Sequence, residues 1–183
     1  MSEWEREQLP LDPDHRWRAR PGCKVFVAGG GAVRFDFPES WCVAPDADSI
    51  KLYDRPPPDD DCRLAVSCHR LPPITGAGPS LAQLVQAALQ GDGRPLDRWG
   101  PVHEGRQADL EWAWQEADFL DPTLGRQAKT RLCIARRGAL QALLTLDFWA
   151  VDLARVEGVW DTALETLVLG RYIDDPTRGP ADE

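Results

Sequence analysis

The stretch DLEWAWQEADFLDPTLGRQAKTRLCIARRGALQALLTLDFW, residues 109–149, reads as three consecutive antiparallel strands whose two faces differ. Side chains along a strand alternate between faces. Trp112, Trp114, Leu132 and Ile134 hold even positions on the first two strands, and Ala142, Leu144, Leu146 and Phe148 alternate on the third. Asp121-Pro122-Thr123-Leu124-Gly125 is rich in turn formers, and Gly138 marks the second turn. Centring the first hairpin on Thr123 sets Trp114 opposite Leu132 and Trp112 opposite Ile134. The other face then pairs Gln115 with Arg131 and Ala113 with Cys133. An odd-length second loop keeps Ala142, Leu144 and Leu146 on the indole side. A one-residue slip reverses such assignments.

Upstream, Lys24–Val27 and Val33–Phe37 read as strands joined by a turn at Gly29-Gly30-Gly31, and Pro38 stops the pairing. A strand follows the glycines, not a helix N-terminus, so the triplet is no phosphate cradle. Ile50–Tyr53 is another short strand. The Asp59-Asp60-Asp61 loop after three prolines lacks the ligand spacing of a calcium loop. Cys62–His69 alternates, with Cys62, Leu64, Val66 and Cys68 on one face and His69 on the other. Ser80 opens a helix: Gln83 can reach back to complete a capping box, and Leu81, Leu84, Val85, Ala88 and Leu89 share one face. Gly91 ends it, and residues 91–100 read as loop, with the meander beginning after Val102.

A closing helix spans about Asp152–Leu169, with Val156, Val159, Trp160, Ala163, Leu164, Leu167 and Val168 as its apolar stripe. That stripe is expected to cover the sheet face bearing Trp112, Trp114 and Leu144. Residues 1–22 form an irregular arm in which Trp4 or Trp17 is docked, residues 23–172 a single α+β domain, and residues 173–183 a loose tail. The fold class is therefore α+β: a twisted, mostly antiparallel sheet of about six strands flanked by helices on both faces.

A net charge of −9 opposes binding to nucleic acid or to anionic membrane surfaces. The five cysteines form no C-x-x-C pair. The first residues carry no apolar leader, and no run spans a membrane. The expectation is a cytoplasmic protein with reduced thiols and no membrane insertion. Eight tryptophans against two tyrosines leave indoles for a surface as well as for the core.

Phe35-Asp36-Phe37-Pro38-Glu39-Ser40-Trp41, after a strand and a glycine turn, is similar to the F-x-x-P-x-x-W phrase that opens the PsbP-like superfamily. The order of elements over Lys24–Tyr172 also resembles that family. The resemblance implies a central antiparallel sheet flanked by helices, and protein binding rather than catalysis. Members include an extrinsic photosystem subunit, a nuclear-transport GTPase-release factor, and bacterial chaperones paired with type VI secretion effectors. The bacterial branch is the nearest in kind. No catalytic residue is implied, because the family shares no catalytic motif.

The residues themselves point the same way. Strand alternation separates His69 from Cys62 and Cys68, so a metal site is not expected, and neither is a cofactor. No G-x-S-x-G elbow is present, and a pairing of Cys133 with His103 rests on inventory alone. The acids Glu104, Glu111, Glu116 and Asp118 read as solvated strand edges. The face turned away from the closing helix carries Glu111, Gln115, Arg131, Gln141, Thr145, Asp147 and Trp149. It is expected to dock a partner polypeptide or a second copy of the chain, around Trp149. The function expected is a non-enzymatic adaptor or chaperone-like module. The alternatives are a dedicated chaperone for a type VI effector, which needs a large exposed apolar patch, and a small-molecule binder or enzyme with a deep pocket on the sheet face.

Overall fold

The computed structural model describes residues 9–46, 48–72 and 78–181; Trp4 lies outside them. Two antiparallel sheets account for its strands. The larger runs in the order β3 (Cys42–Pro45), β4 (Ile50–Tyr53), β5 (Cys62–Arg70), β9 (Leu140–Trp149), β8 (Gln127–Arg137), β7 (Leu110–Leu120) and β6 (Leu96–Gln107). The smaller joins β1 (Cys23–Ala28), β2 (Val33–Pro38) and β10 (Val168–Leu169). Helix α1 spans Leu81–Gln90 and α2 spans Leu153–Glu165, the latter entered through a 3-10 turn at Ala150–Asp152.

In place of one sheet of about six strands there are two, of seven and three described strands, and the three strands that the sequence reading lacks, β3, β6 and β10, have local reasons. β3 is four residues ending in Pro45, too short to show a period. The first half of β6 is bulged between Leu96 and Arg98 and between Trp99 and Val102, which breaks alternation. The apolar period carries the closing helix on through Val168 and Leu169, and here the structure differs. α2 stops at Glu165, the Thr166 hydroxyl donates to Thr162 O at 2.6 Å, and it accepts from the Asp36 amide at 2.8 Å. The chain then pairs with β2, Leu169 opposite Val33.

The register of β7 on β8 also differs from the expected one. Trp114 lies opposite Cys133, Trp112 opposite Ala135, Gln115 opposite Leu132 and Ala113 opposite Ile134. The cause is the loop, which runs over six residues because Leu120 pairs with Gln127. Asp121 Oδ1 accepts from the amides of Thr123 (2.9 Å) and Leu124 (2.7 Å). Gly125, at φ 62°, donates its amide to Asp121 O, and the Asp121 amide donates to Arg126 O. The second loop, Gly138-Ala139, is even rather than odd, since Arg137 pairs with Leu140. The two changes of parity cancel on β9. Ala142, Leu144 and Leu146 remain on the Trp112–Trp114 side, whereas Leu132 and Ile134 move to the other.

Each face has its own cover. Leu81, Val85 and Leu89 of α1 bury Ala113, Leu132 and Ile134. The Ser80–Gln83 capping box is formed in both directions, at 3.2 and 2.9 Å. The opposite face forms the main core with the small sheet and α2 together: Phe26, Phe35 and Phe37 from the small sheet, Val156, Trp160 and Leu164 from α2, and Leu144 and Leu146 from β9. Trp160 meets Trp114 edge-on, their centroids 5.7 Å apart. Trp41, which ends the F-x-x-P-x-x-W phrase, is a buried core residue.

Over its described part the tail is not loose. Trp17 Nε1 donates to Pro176 O at 2.8 Å, Arg34 lies over the indole ring at 5.4 Å, and the amides of Asp12 and Arg16 donate to Thr177 O and Arg178 O. Arm and tail therefore brace one another. The chain just before the tail crosses the glycine turn so closely that a Cβ on Gly31 (φ 101°) would lie 2.2 Å from Arg171 O, whereas one on Gly30 (φ 62°) meets nothing within 4 Å.

Gly30→Ala is expected to cost roughly 1–2 kcal/mol, the conformational penalty alone. Gly31→Ala adds a backbone overlap and is expected to cost about 3 kcal/mol or more in urea unfolding. Equal losses for the two variants would contradict the close crossing.

Candidate functional site

Alternation along β9 sends Gln141, Thr145, Asp147 and Trp149 to the face on which α1 sits. Helix α1 covers β7 and β8 there but not the far end of β9. At that end the 121–126 loop, the 54–61 loop and the segment before β6 enclose a cleft of 460 Å³, with Phe119, Leu124, Arg63, Arg94, Asp147 and Trp149 among its walls.

The floor of the cleft is an ionic network. Asp147 accepts from Arg94 at 2.7 Å and from Arg63 at 2.6 Å. Arg94 also donates to Asp92 (2.6 Å) and to Thr130 Oγ1 (3.2 Å), and its guanidinium lies 4.7 Å from the Phe119 ring centroid. Burial pushes the Asp147 carboxyl upward, but Arg94 and then Arg63 outweigh it and hold the group below the ordinary carboxylate range. Burial lowers Arg94, and its bonds to Asp92 and Asp147 more than restore it. The groups are thus permanently charged and mutually satisfied near neutral pH.

Trp149 forms the rim. Its Nε1 donates to Asp61 Oδ1 at 3.0 Å, and Arg126 lies 4.2 Å from the ring centroid. Asp61 is held from behind by Arg55. Leu124 beside it is 61% exposed. The arrangement is a fixed, half-buried indole with an apolar neighbour above a neutralised polar base.

Of the residues expected on this face, Asp147 and Trp149 meet in the cleft. Thr145 and Gln141 lie further along β9, half-buried, with Gln141 accepting from Arg136 at 2.8 Å. Gln115 is on the same face but sealed, its Nε2 donating to Gly100 O at 2.7 Å in the β6 bulge. Glu111 is exposed at the far end of β7, paired with Arg106 at 3.2 Å. Arg131 does not share this face. The one-residue change of register places it on the indole face, 5% exposed, bonded to Glu116 at 2.7 Å and lying over the rings of Trp114 and Phe148.

Sequence reasoning does not bring Arg63, Arg94, Phe119 or Leu124 to the site. Arg63 alternates with the buried Cys62 and Leu64, a signal the sequence does carry. Arg94 sits in an aperiodic segment that carries none.

Burial pushes the Cys62 and Cys133 thiols up, away from the reactive thiolate. Among the described residues no group of three or more His, Cys, Asp or Glu could hold a metal ion. No described helix is long and apolar enough to cross a membrane.

The sheet order and the cover of each face define an α+β fold of the PsbP kind. The cyanobacterial PsbP (CyanoP) of Synechocystis sp. PCC 6803 superposes with a TM-score of 0.56 at 13% identity, over 81% of this chain and 93% of its own. The Ran-binding protein Mog1p of Saccharomyces cerevisiae does so at 0.53 and 10% identity, over 80% and 95%. A Bacteroides thetaiotaomicron structure matches at 0.55 and 14% identity over 81% of this chain, which spans only about half (49%) of that longer protein. Residues 24–173 match the Alr1449 family, and the chain belongs to it. The uncharacterized protein alr1449 of Nostoc sp. PCC 7120 is 38% identical over 180 residues, 98% of this chain and 94% of that relative.

Because the Asp147 carboxyl is depressed in the folded chain, its contribution to stability is present above the unfolded value near 3.8 and is lost as pH falls through the folded value. Asp147→Asn is expected to cost about 2 kcal/mol at pH 7. It should also flatten the loss of urea stability on acidification below about pH 4. Parallel pH profiles for the two proteins would contradict the network.

Proposed function

We propose that this chain is a non-enzymatic protein-binding module, an adaptor or chaperone-like protein of a cytoplasm-like compartment, and that the Trp149 cleft docks a segment of a partner polypeptide. One observation carries the reading: an indole is held half-exposed by Asp61 and Arg126 beside the exposed Leu124, above charges that have already neutralised one another. Indoles and apolar anchors in pre-formed pockets are where partner binding concentrates. Preorganisation lowers the ordering cost of association. Mog1p is a Ran-binding protein, so the fold has carried a protein partner elsewhere.

Two narrower readings have less support. A type VI effector chaperone needs a broad apolar surface for its client. The large apolar side chains exposed among the described residues are dispersed: Leu9 and Leu11 on the arm, Trp99 on β6, Leu120 at the end of β7, Val151 before α2, Tyr172 near the tail, and only Leu124 in the cleft wall. A small-molecule binder or enzyme needs unspent polar groups converging on a ligand. Here Asp147 spends its bonds on Arg94 and Arg63, and Asp61 spends its bonds on Trp149 and Arg55.

A photo-crosslinking amino acid placed at Leu124 in cells is expected to yield one discrete adduct, which Trp149→Ala reduces at least tenfold. Placed at Glu157, exposed on α2, the same probe should yield none. A pattern from position 124 no different from that at 157, or an adduct indifferent to Trp149→Ala, overturns the reading.

A further inference from the structure

The large sheet has two edges, and they differ. β3 is four residues long and ends in Pro45, which has no amide to donate. β6 is twelve residues long, mostly exposed, and at the edge of the order. Its first half is unsuited to pairing: two irregularities interrupt it, and Gly100-Pro101 lies within it. From Val102 to Gln107 the pairing with β7 is regular. An unblocked strand edge is a template for another strand.

The hairpin closing this edge determines which groups point outward. Gln107 pairs with Leu110 across the two-residue turn Ala108-Asp109, with Ala108 at φ 53°. A two-residue turn of this kind closes on a hydrogen-bonded pair, and such pairs then alternate along an antiparallel ladder. Gln107, Gly105 and His103 therefore direct their backbone groups to β7. Arg106, Glu104 and Val102 direct theirs outward.

We propose that a second copy of the chain pairs antiparallel along β6, with the twofold axis at Gly105. The registers that satisfy the outward groups differ in charge. Centring on Glu104 apposes two carboxylates, and centring on Arg106 apposes two guanidinium groups. Centring on His103 sets Glu104 against Val102 and gives neither charge an ionic partner across the junction, Arg106 keeping only its own Glu111. Centring on Gly105 sets Glu104 opposite the second copy's guanidinium at 106, and Arg106 opposite its carboxylate at 104. Directly opposed unlike charges stabilise a strand pair and like charges oppose it, so charge alone selects one register. The residue at the axis suits the role. A Cβ on Gly105 would lie 2.0 Å from Trp112 Cζ2, so the indole of Trp112 lies across the Gly105 backbone toward the edge. At the twofold the two Trp112 rings cover the junction from one face. The surface is separate from the Trp149 cleft and does not depend on it.

Sedimentation of the full chain over a range of concentrations is expected to show a species of about twice the 20.4 kDa chain mass. Glu104→Arg alone and Arg106→Glu alone each juxtapose like charges and should weaken association at least tenfold, circular dichroism showing the fold retained. In a mixture of the two variants every opposed pair again joins a cation to an anion, and the mixed dimer should form. The unaltered chain remaining a monomer throughout, either single variant associating as well as the parent, or a mixture that does not reassociate would overturn the proposal.

Discussion

The carboxylate of Asp121 decides which side of the sheet each residue of the meander occupies. By accepting the amides of Thr123 and Leu124, while Gly125 turns back onto Asp121 O, it organises a six-residue loop. Side chains repeat every second residue, so a loop one residue shorter would exchange the faces of β8 relative to β7. With the observed loop, Leu132 and Ile134 face α1, and Cys133 and Ala135 face the main core. The placing of both helices follows from that parity, and with it the part of β9 left uncovered.

The described indoles take several roles. Trp41 and Trp160 fill the core, and Trp112 and Trp114 pack partly buried against it. Trp17 clasps the tail. Trp149 has its polar edge on Asp61 and one face under Arg126, a bonding pattern for an indole held at a surface. The buried Arg131 belongs to the core side. Burial raises Glu116, but Lys129 and Arg131 together bring it below its ordinary value, so the three charges form a satisfied ladder between Trp114 and the edge of the core.

Much of the fold is legible in the sequence where one period dominates. The β4 strand coincides with Ile50–Tyr53, the glycine hairpin lies between β1 and β2, the Ser80 capping box opens α1, and α1 ends at Gly91, which keeps a right-handed conformation (φ −83°). Legibility fails where geometry depends on a partner far along the chain. Val168 and Leu169 continue a helical period but are claimed by β2, and the bulged start of β6 has no period to read. The candidate site divides in the same way. Trp149 and Asp147 follow from alternation on β9, whereas Arg94 is brought to them by an irregular segment, and Arg131 depends on a loop count that composition does not determine.

The register itself is directly measurable. In a nuclear Overhauser spectrum of the isotopically labelled protein, cross-strand backbone contacts should place Trp114 opposite Cys133 and Glu116 opposite Arg131. Contacts placing Trp114 opposite Leu132 and Gln115 opposite Arg131 would contradict the account, because they would return Arg131 to the α1 face and undo the separation of core and cleft.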